Sequence, residues 1–274
     1  MDGTDRPVSR GSGGSRSERD RASVSPPKNR LSKVAVVTGG SRGIGRACAE
    51  ALAAAGWKVA VGFRTSDIDA KETLEAIEGT GGVGATVRLD TLDETSVTDA
   101  FKQVADTLGP VTGLVNNAGY SKDGLLITYP IEELERTLDT NVRGAFLCTR
   151  AALRGMLRAR WGRIVNVSSA VALHGNPGQT AYAASKSALV GITKSLAREV
   201  GAKGITVNAV CPGLLDTDMT SHLTDQARSY YLDQTPLGRA ATLAEVANVV
   251  RFLMSEEASY VNGAVVPIDG GLTA

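Results

Sequence analysis

The sequence predicts an α/β fold in which helices cover both faces of one parallel sheet. From Leu31 onward, short β-branched runs alternate with longer segments of helical period. Strands separated by helices of this length run parallel, with right-handed crossovers. The 274 residues, 42% of them hydrophobic, suffice for one substantial core or two small ones. Because no interdomain linker interrupts the alternation, we expect a single domain over residues 31–274, built on a doubly wound seven-stranded parallel sheet.

Each predicted element follows from its local pattern. The predicted strands are KVAVVT (33–38), KVAVGF (58–63), VGATVRL (83–89), VTGLVN (111–116), GRIVNVS (162–168), ITVNAV (205–210) and AVVPID (264–269). The predicted helices between them include Arg46–Ala55, Ser96–Leu108, Ile131–Arg160 and Ala181–Gly201.

The first 30 residues differ from the rest in composition. They are rich in Ser, Gly, Arg and Pro, and large apolar side chains are nearly absent, so burial cannot offset the entropy of ordering them. We predict a disordered N-terminal tail. Its seven Lys or Arg against four Asp or Glu allow an interaction arm, although an unselected extension is the simpler interpretation.

Charge and cysteine usage narrow the class of partner. A formal net charge of +1 gives no general attraction to nucleic acid or to an anionic membrane. The cysteines Cys48, Cys148 and Cys211, with His174 and His222, have no metal-ligand spacing and cannot all pair. No apolar run reaches membrane-spanning length, and the N-terminus lacks a signal-peptide hydrophobic region. We therefore expect a cytoplasmic protein without metal, nucleic acid or membrane partners.

The first strand runs directly into a glycine-rich turn, TGGSRGIGR. Gly39, Gly43 and Gly45 stand where the strand passes into a helix. Glycine permits a tight turn and lets backbone N–H groups and the helix N-terminus approach a pyrophosphate. The turn, placed in the first βαβ unit, predicts a dinucleotide cofactor.

The end of the second strand predicts which dinucleotide binds. An acidic residue there would accept hydrogen bonds from the ribose of NAD, but no Asp or Glu occurs between Ala51 and Ser66. Arg64 lies there instead, and the glycine turn adds Arg42. Two guanidinium groups suit the 2′-phosphate of NADP(H), although both residues also fit an ordinary surface.

Polar residues gather where strands four, five and six end, which is where open α/β sheets bind ligands. The strands end in NNAG, NVSS and CPG. Asn141, Ser169, Tyr182 and Lys186 are expected to converge there for proton transfer. Taken singly, a Tyr and a Lys four residues apart are usually an exposed pair, and a Ser after a strand usually caps the next turn. Ser168 competes with Ser169, and only the thirteen-residue interval to Tyr182 favours Ser169.

Together these motifs resemble the short-chain dehydrogenase/reductase superfamily over residues 33 to 272. The resemblance rests on TGGSRGIG, NNAG, NVRG, Ser169 thirteen residues before Tyr182, YAASK, and PG followed by Thr217. It is strongest to the 3-oxoacyl-(acyl-carrier-protein) reductases, through GRIVNVSSAVALHGNPGQTAYAASKSALVGITKSLAREV and NGAVVPIDGG. It implies a single-domain Rossmann fold, an NADP(H)-dependent ketoreductase and a homotetramer.

The resemblance implies a role for each polar group. Tyr182 is the proton donor, Ser169 hydrogen-bonds the substrate carbonyl, Lys186 also binds the nicotinamide ribose, and Asn141 holds a water that replenishes protons. The chemistry agrees, since a cofactor supplies only hydride. A free tyrosine has a pKa of about 10. We expect the Lys186 ammonium to lower the pKa of Tyr182 toward neutral pH.

The resemblance also implies further cofactor contacts. They are Ser41 and Ile44 in the glycine turn, Asp90 and Thr91 after the third strand, Asn117, Ala118 and Gly119 after the fourth, and Pro212, Gly213, Leu215 and Thr217 after the sixth. Thr91 stands where the family usually has an aliphatic residue. His174 and His222 have no partner pattern and are interpreted as polar loop residues.

Two surfaces bear on the substrate. The loop from Leu214 to about Leu237 has the mixed character of a mobile lid over a medium-length acyl chain. RGMLRARWGR supplies Arg154, Arg158, Arg160 and Arg163 for an acidic acyl carrier protein, and Lys203 follows the catalytic helix. Arg160 and Lys203 are the docking candidates, although arginines at helix ends also serve solubility.

The leading function is NADPH-dependent reduction of a 3-oxoacyl thioester, in fatty-acid or polyketide-type biosynthesis. The same catalytic group would serve an NADP(H)-dependent dehydrogenase of a free alcohol, a sugar or a CoA thioester. A protein that binds the cofactor without turnover is disfavoured because Tyr182 and Lys186 are both present. A methyltransferase with a related glycine loop is disfavoured by the same pair and by Arg64.

Overall fold

Seven parallel strands form one sheet in the computed structural model of the protein, which describes residues 1–3, 33–217 and 224–274. The strands are β1 (Val34–Val37), β2 (Lys58–Phe63), β3 (Val83–Arg88), β4 (Gly113–Asn116), β5 (Gly162–Val167), β6 (Ile205–Pro212) and β7 (Val265–Ile268). Their order across the sheet is β3-β2-β1-β4-β5-β6-β7. The chain therefore starts at the centre, winds to one edge and then to the other, and the predicted doubly wound fold is confirmed.

Nine α-helices connect or follow the strands in the described residues. They are α1 (Gly43–Ala54), α2 (Asp67–Gly79), α3 (Glu94–Thr107), α4 (Ile131–Leu138), α5 (Gly144–Ala159), α6 (Val171–His174), α7 (Thr180–Val200), α8 (Asp225–Gln234) and α9 (Leu243–Leu253). The sequence predicts one continuous helix over 131–160, and the continuity is wrong, because a π-helical turn, Asp139–Arg143, separates α4 from α5.

The core has two layers because successive strand residues point to opposite faces of the sheet. On β1, Val34 and Val36 pack on one face with side chains of α3, α5 and α7. Ala35 and Val37 pack on the other with α1, α2 and α9. Because both faces of the central strands are buried, these strands are nearly continuous apolar runs.

Some predictions fall outside the described residues. They are the tail from residue 4 to residue 30, His222 and part of the lid loop. The domain boundary at residue 31 stays a prediction. Within the described ranges, no helix is both long enough and apolar enough to span a membrane.

Candidate active site

A cleft of about 1030 Å³ opens at the carboxyl ends of the strands. The glycine turn after β1 lines one part of it, and Ser169, Tyr182 and Lys186 line another. Parallel strands place the residues that follow them at the same edge of the sheet, which is why these distant segments meet. Three of the four predicted proton-transfer groups therefore share one cavity with the glycine turn, whereas Asn141 is buried and does not line it.

The glycine turn is closely packed. Gly39 and Gly43 have φ angles of +61° and +54°, in the left-handed region that glycine adopts without strain. A methyl group on Gly45 would lie 2.1 Å from the Gly39 carbonyl oxygen and 2.5 Å from the side-chain nitrogen of Asn117. The helix can therefore start this close to β1 only with glycine at position 45.

Thr38 and Asn117 tie the glycine turn to the segment after β4. The Thr38 hydroxyl accepts hydrogen bonds from the backbone N–H groups of Asn117 and Ala118, both at 2.9 Å. The Asn117 amide donates to the carbonyls of Thr38 and Gly39, both at 3.0 Å. The NNAG motif thus supports the phosphate end of the cleft as well as bordering it.

Two hydrogen bonds hold the glycine turn, with Arg42, beside the segment that carries Arg64. The Gly40 N–H donates to the Gly62 carbonyl at 2.8 Å, joining the turn to the end of β2. The Thr73 hydroxyl, fully buried on α2, donates to the Ser41 carbonyl at 3.1 Å. Arg42 and Arg64 both line this end of the cleft, as predicted from sequence.

This end of the cleft fits the phosphates of a dinucleotide. Helix α1 begins with Arg42 as an N-cap that makes no side-chain capping bond, and no acidic residue lies in the first turn. Its first N–H groups therefore face the cavity with the positive end of the helix dipole. Gly43 lines the cleft, and no atom lies within 4 Å of the place that a methyl group would take there, so the backbone of the turn is open to a ligand.

Lys186 is buried beneath the cleft, with 4% of its surface exposed. Its Nζ donates to the Val167 carbonyl at 2.8 Å and lies 5.6 Å from the centroid of the Tyr182 ring. Burial lowers the pKa of Lys186 to about 8, because the ammonium has lost water. The ammonium is thus held by the end of β5, next to the phenol.

The structure separates the two candidate serines. Ser168 is 3% exposed, and its hydroxyl donates to the Lys186 carbonyl at 2.8 Å, so it is committed to anchoring α7. Ser169 lies close enough to Tyr182 for its hydroxyl to lower the pKa of the phenol, and both side chains line the cleft. The Ser169 oxygen also accepts from the Val171 N–H at 3.3 Å, so it caps the next turn as well. The geometry favours Ser169 as the serine that works with Tyr182.

The predicted lowering of the pKa of Tyr182 by Lys186 is wrong for this arrangement. Burial raises the pKa of Tyr182 to about 12. The Ser169 hydroxyl lowers this pKa by a smaller amount, and the negative charge of Asp123 raises it further. Lys186 does not offset this, because with a pKa of about 8 it has lost its proton at the pH where the phenol titrates. Tyr182 is therefore protonated at neutral pH, which is the form that a proton donor requires.

Asn141 lies in the π-helical turn and is 1% exposed. Its Oδ1 accepts from the Tyr120 N–H at 2.7 Å, and its Nδ2 donates to the Tyr120 carbonyl at 2.9 Å and to the Ser185 hydroxyl at 2.8 Å. Ser185 in turn donates to the Tyr182 carbonyl at 2.7 Å. The widened turn thus places Asn141 against the start of α7, while one Oδ1 lone pair remains available.

Most of the other predicted cofactor positions line the same cleft. They are Ser41, Ile44, Thr91, Ala118, Gly119, Pro212, Gly213, Leu215 and Thr217. Asp90 does not line it, and its carboxylate accepts from the Leu92 N–H at 3.0 Å. His174, predicted as an ordinary loop residue, is exposed at the end of α6 and lines the cleft.

The predicted docking residues lie elsewhere. Arg160 and Lys203 are exposed in the turns that precede β5 and β6. They therefore lie at the amino ends of the strands, whereas Tyr182 lies at the carboxyl ends. The two turns adjoin, since the Gly162 N–H donates to the Gly204 carbonyl at 3.3 Å. Arg163 is not available for docking, because it is 2% exposed and binds the Ser255 carbonyl.

Comparison with known proteins agrees with this geometry. A family model described as "Enoyl-(Acyl carrier protein) reductase" matches residues 39–273. The 3-oxoacyl-(acyl-carrier-protein) reductase of Pseudomonas aeruginosa is 46% identical over 240 residues, covering 88% of this chain and 97% of that protein. The chain belongs to the short-chain dehydrogenase/reductase family.

Other members support the same assignment. The 3-oxoacyl-(acyl-carrier-protein) reductase of Escherichia coli is 43% identical, covering 88% of this chain and 97% of that protein. A variant of a short-chain dehydrogenase/reductase from Serratia marcescens has a TM-score of 0.84 at 37% identity, covering 88% of this chain and 98% of that one. The predicted family and its oxidoreductase class are confirmed.

A polar cluster at the substrate end of the cleft in this short-chain dehydrogenase/reductase was not predicted from the sequence. The Asn176 amide donates to the Tyr231 hydroxyl of α8 at 2.6 Å and to Gln179 at 3.0 Å. Gln179 donates to Asp123 at 3.0 Å. These side chains come from three segments without a shared motif, so no spacing in the sequence marks them. They join α8 to the loops beside Tyr182.

Proposed function

We propose that the protein reduces a 3-oxoacyl thioester to the 3-hydroxyacyl thioester with NADPH. One observation carries the proposal: Ser169, Tyr182 and Lys186 line the same cleft as the glycine turn, with the Lys186 ammonium 5.6 Å from the Tyr182 ring. The similarity to 3-oxoacyl-(acyl-carrier-protein) reductases over most of the chain supports the choice of substrate.

Ketone reduction assigns one task to each of these groups. The cofactor, when bound, supplies the hydride. Ser169 donates a hydrogen bond to the substrate carbonyl oxygen, and Tyr182 gives its proton to that oxygen as it becomes an alkoxide. Lys186, with its pKa at about 8, is mostly charged at neutral pH and favours the phenolate that remains. A water on the free Oδ1 lone pair of Asn141 would begin the path that reprotonates Tyr182.

The cofactor preference rests on the adenosine end of the cleft. Arg42 and Arg64 line it, and no acidic side chain that could bind the ribose hydroxyls of NAD lines that end. Guanidinium groups pair well with phosphate, so we propose NADP(H). Tighter binding of NADH than of NADPH would contradict this assignment.

The decisive experiment measures NADPH oxidation with acetoacetyl and longer 3-oxoacyl thioesters, on carrier protein and on CoA, beside a panel of free ketones. We expect turnover of the thioesters, with the carrier-linked form preferred. Turnover of free ketones alone would assign the protein to the dehydrogenases of free alcohols or sugars. The chain-length series would also define the acyl pocket.

We further propose that an acidic carrier protein docks at Arg160 and Lys203. These residues lie at the amino ends of the strands and Tyr182 lies at the carboxyl ends. A carrier docked there would therefore have to deliver its acyl group to another chain. That requirement fits the homotetramer implied by the family resemblance. Docking and assembly are therefore linked in this proposal.

The double charge reversal Arg160→Glu with Lys203→Glu tests the docking surface. We expect kcat/KM for the carrier-linked substrate to fall about tenfold, since a few surface ion pairs contribute roughly 0.2–1 kcal/mol each. The rate with the CoA thioester should be unchanged. Arg251→Glu on α9 is the matched control, because Arg251 is exposed and lies outside the arginine-rich segment. Carrier-linked turnover that ignores both salt and the double reversal would exclude this surface.

A further inference from the structure

A second, smaller cavity of about 460 Å³ adjoins the adenosine end of the main cleft. It is lined by Phe63, Arg64, Thr65, Asp67 and Arg88, and the first three of these also line the main cleft. Arg64 thus faces a space that continues beyond the cleft to the outer strand of the sheet. Sequence reasoning gave no role to Arg88.

The register of the sheet brings Arg88 to this place. It is the last residue of β3 and is paired with Phe63, the last residue of β2, directly before Arg64. The Leu89 N–H donates to the Phe63 carbonyl at 2.7 Å, so the two strand ends are held together. The two arginines therefore leave neighbouring strands at the same level and line one cavity.

Neither of these guanidinium groups has a partner among residues 1–3, 33–217 and 224–274. Arg64 and Arg88 make no ion pair and no hydrogen bond with any described residue, and both are exposed. The one acidic residue of the cavity wall, Asp67, pairs with Lys71 at 2.6 Å and does not neutralise them. Other arginines, such as Arg46 and Arg239, do have carboxylate partners. Two unpaired cations around one cavity favour an anion of more than one charge.

We propose that Arg88 is a further specificity-determining residue, and that the cavity it shares with Arg64 takes the 2′-phosphate of NADP(H). A phosphate monoester carries about 1.5 to 2 negative charges at neutral pH and has three acceptor oxygens, so one arginine leaves it incompletely paired. Arg42 approaches the same end from the glycine turn. This inference rests on the proposed NADP(H) preference and adds a residue that no motif marks.

Binding without substrate tests it directly. Dissociation constants of NADPH, NADH, 2′,5′-ADP and 5′-AMP are measured by titration for the wild type, Arg88→Gln, Arg88→Lys and Arg251→Gln. Loss of one charge-assisted contact should weaken NADPH and 2′,5′-ADP roughly tenfold or more in Arg88→Gln, while NADH and 5′-AMP keep their affinity. Arg88→Lys should recover part of the loss. Arg251, exposed on α9 and lining neither cavity, is the matched control and should change nothing.

The outcomes separate this inference from the proposed function. A wild type that prefers NADPH, with Arg88→Gln keeping that preference, overturns the role of Arg88 alone. Equal weakening of all four nucleotides in Arg88→Gln also overturns it, because the contact would then not be to the 2′-phosphate. A wild type without preference for NADPH overturns both the cofactor proposal and this inference. Failure to reduce thioesters leaves the binding result intact.

Discussion

Replacing Tyr182 with Phe is expected to lower kcat for ketone reduction by about 10²–10⁴-fold, the usual contribution of a positioned general acid. The phenol lies beside Ser169 in the cleft, and burial keeps it protonated by raising its pKa to about 12. Phe preserves the ring that packs near Lys186 and removes only the hydroxyl group that supplies the proton. The affinity for NADPH should therefore change little.

Steady-state rates with a 3-oxoacyl thioester and a parallel titration of NADPH measure both quantities. Tyr231→Phe provides a matched control, since Tyr231 also lines the cleft, from α8, but its hydroxyl accepts a hydrogen bond from Asn176 at 2.6 Å. We expect that variant to change KM more than kcat. If Tyr182→Phe retained most of its rate, another group would have to supply the proton.

The sheet could be predicted from sequence because burial on both faces leaves a clear pattern. β2 begins and ends at the predicted residues, Lys58 and Phe63, and the other six strands lie within two residues of their predicted bounds. The glycine turn and the catalytic group could be placed because each follows a strand end, and parallel strands bring their ends together. Pattern and topology together sufficed for most of the cleft.

What could not be predicted depends on contacts between distant segments. The π-helical turn at Asn141 has an ordinary helical pattern, and its place is fixed by hydrogen bonds to Tyr120 and Ser185. The raised pKa of Tyr182 depends on burial, which the packing of distant segments creates. The sequence pattern did not indicate that Arg88 lies beside Arg64, because that position depends on the register between β2 and β3.

Replacing Gly45 with Ala is expected to cost both stability and cofactor binding. The new methyl group would lie 2.1 Å from the Gly39 carbonyl oxygen, a backbone atom that cannot move without shifting the turn. Overpacking of this kind costs about 1–3 kcal/mol and sometimes more, and we expect the upper end because the atom struck is backbone. Since Asn117 donates to the same carbonyl, the shift would also disturb the segment after β4.

Two other glycines separate this steric effect from ordinary glycine effects. Gly43→Ala meets no atom within 4 Å but keeps a φ of +54°, so it should cost only about 1–2 kcal/mol. Gly191→Ala lies in α7 in open space and should stabilise the protein by up to about 1 kcal/mol.

Chemical denaturation and NADPH titration of the three variants give the comparison. Only Gly45→Ala should lose both stability and affinity, because only there does the helix start against the carbonyl that closes the phosphate-binding turn. Equal effects at positions 43 and 45 would show that backbone conformation, and not this contact, sets the requirement for glycine.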